Sequence, residues 1–242
     1  MLKKYKHIFF DLDNTLWDFE LNAREALQST FHQFNLDDRV ADFTCFHEIY
    51  SGHNERLWGL YRNNGITKQE LIRQRFQHTF NEFALADTDP LEFNEVFLKL
   101  MPLQKVLVPG AIEVLDYLIR KYYSLYIITN GFREVQERKL ELSGIRHYFK
   151  RIIISEDIKA QKPSPEIFEY ALKSNNARKR ESIMVGDSPE VDIAGARNAG
   201  IDQIYFAPAS SGLTFEPDLL TGKRQLTRTF IISELIEILN IL

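Results

Sequence analysis

The chain has a single cysteine, Cys45, among 242 residues. That excludes an internal disulfide and any zinc site built on several cysteines, and it fits a reducing compartment. Cys45 itself is expected to be a small buried apolar residue. No apolar run approaches the ~18 residues of a membrane span, and the short one behind the N-terminal lysines is too brief for a signal peptide. A surplus of charge is also missing. Thirty Lys and Arg against 34 Asp and Glu leave a formal net charge of −4, which supplies no general attraction to nucleic acid polymers or anionic membranes. The six histidines are scattered and none forms a ligand pair; His53 lies on an apolar helical stripe and reads as a core histidine. There is no internal repeat and no low-complexity tract, and no signal sets the oligomeric state. These absences predict a soluble cytoplasmic protein whose partner is a small molecule.

What is present falls into two textures. His7-Ile8-Phe9-Phe10 is a short apolar run of the kind that forms a buried strand, and it runs directly into Asp11-Leu12-Asp13-Asn14-Thr15. Residues 17–105 then show helical spacing and no strand run. Ala23, Leu27, Phe31 and Phe34 share one face, as do Phe43, Phe46, Tyr50, His53, Leu57 and Leu60. Ile72, Phe76, Phe80 and Phe83 form a third face, and Phe93, Val96, Phe97 and Leu100 a fourth, with breaks at Asn64-Gly65 and Asp87-Thr88-Asp89-Pro90.

After Pro109-Gly110, apolar strands alternate with helices: strands near 125–128, 151–154, 183–185, 204–206 and 230–232, helices near 111–121, 134–142, from 165, and 189–198. Alternation of this kind marks a parallel sheet covered on both faces. The fold expected is α/β, a doubly wound Rossmann-like core formed by residues 1–16 and 106–242, with an all-helical domain of residues 17–105 inserted into it.

Sites in such sheets lie at the carboxyl ends of the strands. Asp11 and Asp13 stand there after the first strand, Thr129-Asn130-Gly131 after the second, and Gly186-Asp187 after the fourth, followed by Asp192. Lys162 precedes the helix that starts at Pro165. Four carboxylates with only one ammonium and a hydroxyl at one edge are electrostatically untenable unless a cation joins them. The all-oxygen donor set points to a hard ion, Mg²⁺ in a cell. The same inventory suits phosphoryl transfer. A carboxylate can attack phosphorus and a second can shuttle the proton, while Thr129, Asn130, Gly131 and Lys162 are placed to hold phosphate oxygens.

These residues resemble the four motifs of the haloacid dehalogenase-like (HAD) hydrolase superfamily. Asp11-Leu12-Asp13-Asn14-Thr15 is similar to the first, Thr129 to the second, Lys162 to the third, and Gly186-Asp187 through Asp192 to the fourth. The resemblance implies that Asp11 is the nucleophile and Asp13 the general acid and base. It implies Mg²⁺ held by Asp11, the Asp13 carbonyl and Asp187, with Asp192 in support. It also implies that the inserted helices are a type-one cap. An acid at position 13 favours a phosphatase or phosphomutase over a dehalogenase.

Leu57-Trp58, Tyr61, Asn64-Gly65-Ile66-Thr67, Arg75-Phe76, Ile128-Thr129-Asn130-Gly131-Phe132 and Lys162-Pro163-Ser164-Pro165-Glu166-Ile167-Phe168 are further similar to the YjjG-type pyrimidine 5′-nucleotidases. Gln161 replaces the small residue often found before the motif lysine. Trp17, Trp58, Tyr61 and Phe132 are aromatic candidates for stacking on a base, and Arg75 and Asn54 for reaching its polar groups. The expected activity is therefore hydrolysis of a small phosphomonoester through an aspartyl-phosphate. A nucleoside monophosphate leads as substrate; a sugar phosphate, or a phosphomutase reaction, stays open. A non-catalytic phospho-accepting module of the response-regulator kind would carry its acceptor on another strand and would have no ninety-residue insertion.

Overall fold

Strand β1 (His7–Phe10) has Ile8, Phe9 and Phe10 fully buried, each side chain contributing about 1.5–3 kcal/mol of hydrophobic stabilisation. The computed structural model describes residues 4–208 and 227–242. β1 lies at the centre of a six-stranded sheet with β2 (Ser124–Thr129), β3 (Phe149–Ile154), β4 (Ser182–Gly186), β5 (Asp202–Phe206) and β6 (Thr229–Ile232), in the order β3-β2-β1-β4-β5-β6. Every pairing is parallel, with Phe10 beside Ile127 of β2 and Val185 of β4. The strand order reverses at β1, so the crevice between the carboxyl ends of β1 and β4 is the topological switch point of the sheet. The ladder continues one residue past β1, where the Asp11 amide donates to the Val185 carbonyl over 2.9 Å. That bond fixes the backbone from which the first acid projects.

The chain divides into two compact units, one formed by Glu20–Lys105 and the other by the sheet and the elements that flank it in sequence. In the helical unit, α1 (Phe19–Gln33, whose first residue belongs with the sheet), α2 (Phe43–Arg62), α3 (Lys68–Glu82) and α4 (Pro90–Leu100) bury an aromatic interior. Phe46, Phe76, Phe80, Phe93 and Phe97 are fully buried there, and Phe76 stacks on Tyr50 with ring centroids 4.9 Å apart. Helix starts are set by capping. Thr67 and Glu70 form a reciprocal capping box at α3, and Asp89 accepts from the Leu91 amide ahead of Pro90 at α4.

Some residues in this unit differ from their expected placing. Cys45 is exposed, because the buried stripe of α2 runs through Phe46, Tyr50 and Leu57 and Cys45 is turned about 100° away from Phe46. Leu60, expected on that stripe, is exposed. His53 is only half-buried, its ring 5.4 Å from that of His78 and its Nε2 3.9 Å from Glu82.

The sheet unit continues with α5 (Ala111–Arg120), α6 (Arg133–Leu142), the short α7 (Ser155–Ile158), α8 (Pro165–Ser174) and α9 (Ala194–Asn198). A continuous helix was expected over 189–198; instead Pro189–Ile193 forms a π-helical turn before α9 begins. The Ser188 side chain caps it by accepting from the Val191 amide, and the turn carries Asp192. A widened turn of this type is frequent at functional sites. Trp17, expected with the helical insertion, belongs to the sheet unit through bridges to Asp13 and Leu107.

Candidate active site

Asp11, Asp187 and Asp192 each offer a carboxylate oxygen, and the three oxygens lie within 4.8 Å of one another. They come from the end of β1, the residue after β4 and the π-helical turn, positions separated by up to 181 residues in the chain. Gly186 makes the approach of Asp192 feasible, since a Cβ there would stand 2.5 Å from the Asp192 side chain. Asp192 accepts from the Ser188 amide at 3.1 Å, and Asp187 from the Thr15 hydroxyl at 3.0 Å.

Lys162 brings the compensating charge. It is 2% exposed and its ammonium donates both to Asp11 and, over 2.7 Å, to Asp192. Its backbone is fixed by Asn130, whose side chain accepts from the Lys162 amide at 2.8 Å and donates to the Lys162 carbonyl at 2.9 Å. Asn130 thus ties the end of β2 to the loop that carries the lysine.

The electrostatics follow from this packing. Burial raises the proton affinity of Asp11 well above the carboxylate range; Lys162 opposes that, and Asp192, Asp187 and Asp13 add to it. Asp187 is pushed up to about 7, chiefly by burial and then by Asp192. Burial pushes the Lys162 ammonium down, but Asp11 and Asp192 outweigh it and the net shift is upward. One ammonium therefore does not balance three clustered carboxylates. A divalent cation among them would supply the missing charge, and the all-oxygen donors suit a hard ion. The residues fit such a metal.

Asp13, two residues past Asp11, turns its carboxylate elsewhere. Lys139 donates to one oxygen at 2.6 Å and Gln136 to the other at 2.9 Å. Gln136 also donates to the Thr129 hydroxyl at 2.7 Å, which accepts from the Gly131 amide at 3.1 Å. The Asp13 side chain is thus outside the carboxylate trio, while the role expected of Asp13 toward a metal is through its backbone carbonyl.

The structure brings together Asp11, Asp13, Thr129, Asn130, Gly131, Lys162, Asp187 and Asp192 at the sheet edge, in one bonded group around Lys162 and a second around Gln136 that meet through the backbone of Thr129-Asn130-Gly131. The expected stacking residues fare differently. Trp17 is fully buried with the Lys139 ammonium 4.1 Å from its ring centroid, and Phe132 is 3% exposed, so neither presents a face for a base. Arg75 lies in the interior of the helical unit. It donates to Asn94 at 3.0 Å and Asn54 at 3.5 Å and is flanked by the Phe76 and Phe97 rings, so it acts as a core cation there and not as a reader of substrate. Trp58 and Tyr61 are half-buried on α2, ring centroids 5.7 Å apart.

Three contributors were missed from sequence: Thr15, Gln136 and Lys139. Thr15 sits inside the acidic run already singled out. Gln136 and Lys139 are three apart and therefore share a helix face, with Val135 and Leu140 buried beside them. That spacing is the signal that a polar pair interrupts the buried stripe of α6.

The pattern of the haloacid dehalogenase-like hydrolases matches residues 5–200, and the chain belongs to that family. Among individual proteins, it is similar to the pyrimidine 5′-nucleotidase YjjG of Escherichia coli, 36% identical over 199 residues that cover 82% of this chain and 84% of the relative. It is likewise similar to the pyrimidine 5′-nucleotidase PynA of Streptococcus pneumoniae, 35% identical over 205 residues covering 84% of each. Among solved structures, the magnesium-bound HAD-hydrolase YfnB of Bacillus subtilis superposes with a TM-score of 0.85 at 26% identity, covering 99% of both chains. No helix among the described residues is long and apolar enough to cross a membrane.

Proposed function

We propose that this hydrolase is an Mg²⁺-dependent phosphomonoesterase working through an aspartyl-phosphate, with pyrimidine nucleoside 5′-monophosphates as its substrates. The observation that carries the reading is the carboxylate trio Asp11, Asp187 and Asp192, with Lys162 bonded to Asp11 and Asp192 and a second carboxyl two residues from Asp11. Mg²⁺ held by Asp11, Asp187 and the Asp13 carbonyl, with Asp192 in support, would offset charge on the transferred phosphoryl group. Lys162, the Thr129 hydroxyl and the backbone N–H groups of Asn130 and Gly131 hold its oxygens.

In the first step an Asp11 oxygen attacks phosphorus. The ester P–O bond breaks, its electron pair goes to the leaving oxygen, and the Asp13 carboxyl gives that oxygen its proton. In the second step the Asp13 carboxylate takes a proton from water as the water oxygen attacks phosphorus. The bond to Asp11 breaks and inorganic phosphate leaves. The nucleotide preference rests on the two pyrimidine 5′-nucleotidases, each about one-third identical to this chain. The test is a panel of UMP, dUMP and dTMP against purine nucleotides, sugar phosphates and an aryl phosphate. The pyrimidine nucleotides are expected to show the highest kcat/KM. A sugar phosphate leading the panel overturns the nucleotide assignment and leaves the phosphatase one.

Mg²⁺ binding carries a pH dependence of definite sign. Without the ion, Asp187 takes up its proton near pH 7, so protons compete with the cation below that value. The apparent affinity for Mg²⁺ is expected to rise between pH 5.5 and 8, as followed by calorimetric titration. Because the folded-state value lies above the unfolded one, the ion-free protein loses stability as the pH climbs from about 4 to 7, and Mg²⁺ restores more at the upper end of that window. An affinity independent of pH contradicts this account.

A further inference from the structure

We propose that Lys139 and Gln136 are positioning residues that hold the Asp13 carboxyl group for proton transfer. The inference rests on the reading of Asp13 as general acid and base. Lys139 and Gln136 are each 1% exposed although both stand on a helix rich in charged residues. Replacing both partners of an ion pair such as Lys139–Asp13 by well-packed apolar side chains is often neutral or stabilising, so stability alone does not account for the pair here.

What the pair does is visible in its bonds. Each Asp13 oxygen receives a separate donor from the same turn of α6, Lys139 on one and Gln136 on the other. The second N–H of the Gln136 amide goes to the Thr129 hydroxyl, which links Asp13 to a phosphate-holding residue. The Trp17 and Phe19 rings, 4.1 and 5.1 Å from the Lys139 ammonium, wall the pair in on one side. A third position serves the same end: a Cβ on Gly131 would overlap the Gln136 amide, so the turn before α6 leaves that side chain its space. With a donor on each oxygen, Asp13 is fixed in both direction and rotation, and proton transfer needs the acid within ~3 Å of the leaving oxygen.

The substitution Lys139→Met keeps the volume and apolar stem of the side chain and removes the donor. A displacement near 1 Å of a reacting group costs on the order of 10²-fold. kcat/KM for UMP, whose leaving alkoxide needs the proton, is therefore expected to fall about 30- to 100-fold. For p-nitrophenyl phosphate, whose leaving group departs unprotonated, the fall is expected to be within about 3-fold. KM should change little, and Lys139→Arg should recover most of the loss. Asp13→Asn is the reference and should show the same substrate contrast at larger amplitude. If Lys139→Met lowers both substrates equally while Asp13→Asn separates them, the positioning role is refuted and the acid–base reading stands. If Asp13→Asn itself lowers both equally, the acid–base reading falls and takes this inference with it. Gln136→Leu, which leaves no buried charge unpaired, carries the same comparison should Lys139→Met not fold.

Discussion

The Asp11→Asn variant is expected to lose phosphomonoester turnover by about 10⁴-fold or more while keeping its fold. Losses of that size accompany removal of a residue that forms the covalent bond itself. The fold should survive because Asp11 is disfavoured as an anion where it stands. It is buried, and Asp192, Asp187 and Asp13 all raise its proton affinity. A neutral amide of the same shape removes that repulsion, and Lys162 retains Asp192 as a partner. Thermal unfolding of the variant should occur at or above the temperature of the parent, with steady-state kinetics reporting the loss. Normal Mg²⁺-dependent turnover in the variant would remove Asp11 from the reaction.

Lys162→Met should damage both activity and stability, which separates it from Asp11→Asn. The lysine joins Asp11 and Asp192, and its side chain and that of Asp192 are each only 2% exposed. Removing one partner of a buried ion pair leaves the other uncompensated, at a cost of about 3 kcal/mol. Urea denaturation without Mg²⁺ should show that loss, and Mg²⁺ should recover part of it by supplying charge to the same oxygens. Turnover should fall about 10²- to 10³-fold even with saturating Mg²⁺, since a preorganised donor to the transferred group is gone. Unchanged stability together with unchanged turnover would mean the ammonium serves neither purpose.

The two variants bear on parts of the molecule that differ in how readily the sequence displays them. Asp11, Thr129 and Asp187 each follow an apolar run, and a run of that kind ending in a polar residue marks the carboxyl edge of a buried strand. Parallel pairing then brings Ile8, Leu125 and Ile183 into register and aligns those ends. Lys162 was reachable because it precedes the Ser164-Pro165 helix start. The π-helical turn at Pro189–Ile193 was not, since a π turn and an α turn share one local pattern and only the non-local contact of Asp192 with Gly186 and Lys162 distinguishes them.

Gln136 and Lys139 were hidden for a related reason. A lysine in Glu137-Arg138-Lys139 looks like any solvated helical charge until its partner, 126 residues away, is known. The aromatic residues illustrate the converse. A large ring next to a catalytic motif serves a core as well as a substrate, and the bridge from Trp17 to Leu107 that buries the former spans 90 residues of sequence. Arg75 reads as a cation that reaches for the polar groups of a base for the same reason, whereas Asn94 and Asn54 enclose it within the helical unit.

The central claim is that a phosphoryl group passes through Asp11. Rapid acid quench during turnover of p-nitrophenyl phosphate, followed by peptide mass mapping, tests it most directly. A phosphoryl adduct on the peptide bearing Asp11, present in the parent and absent from Asp11→Asn, is the predicted result. A parent enzyme that turns over with no protein-bound phosphoryl group, or with the adduct on another residue, would contradict it.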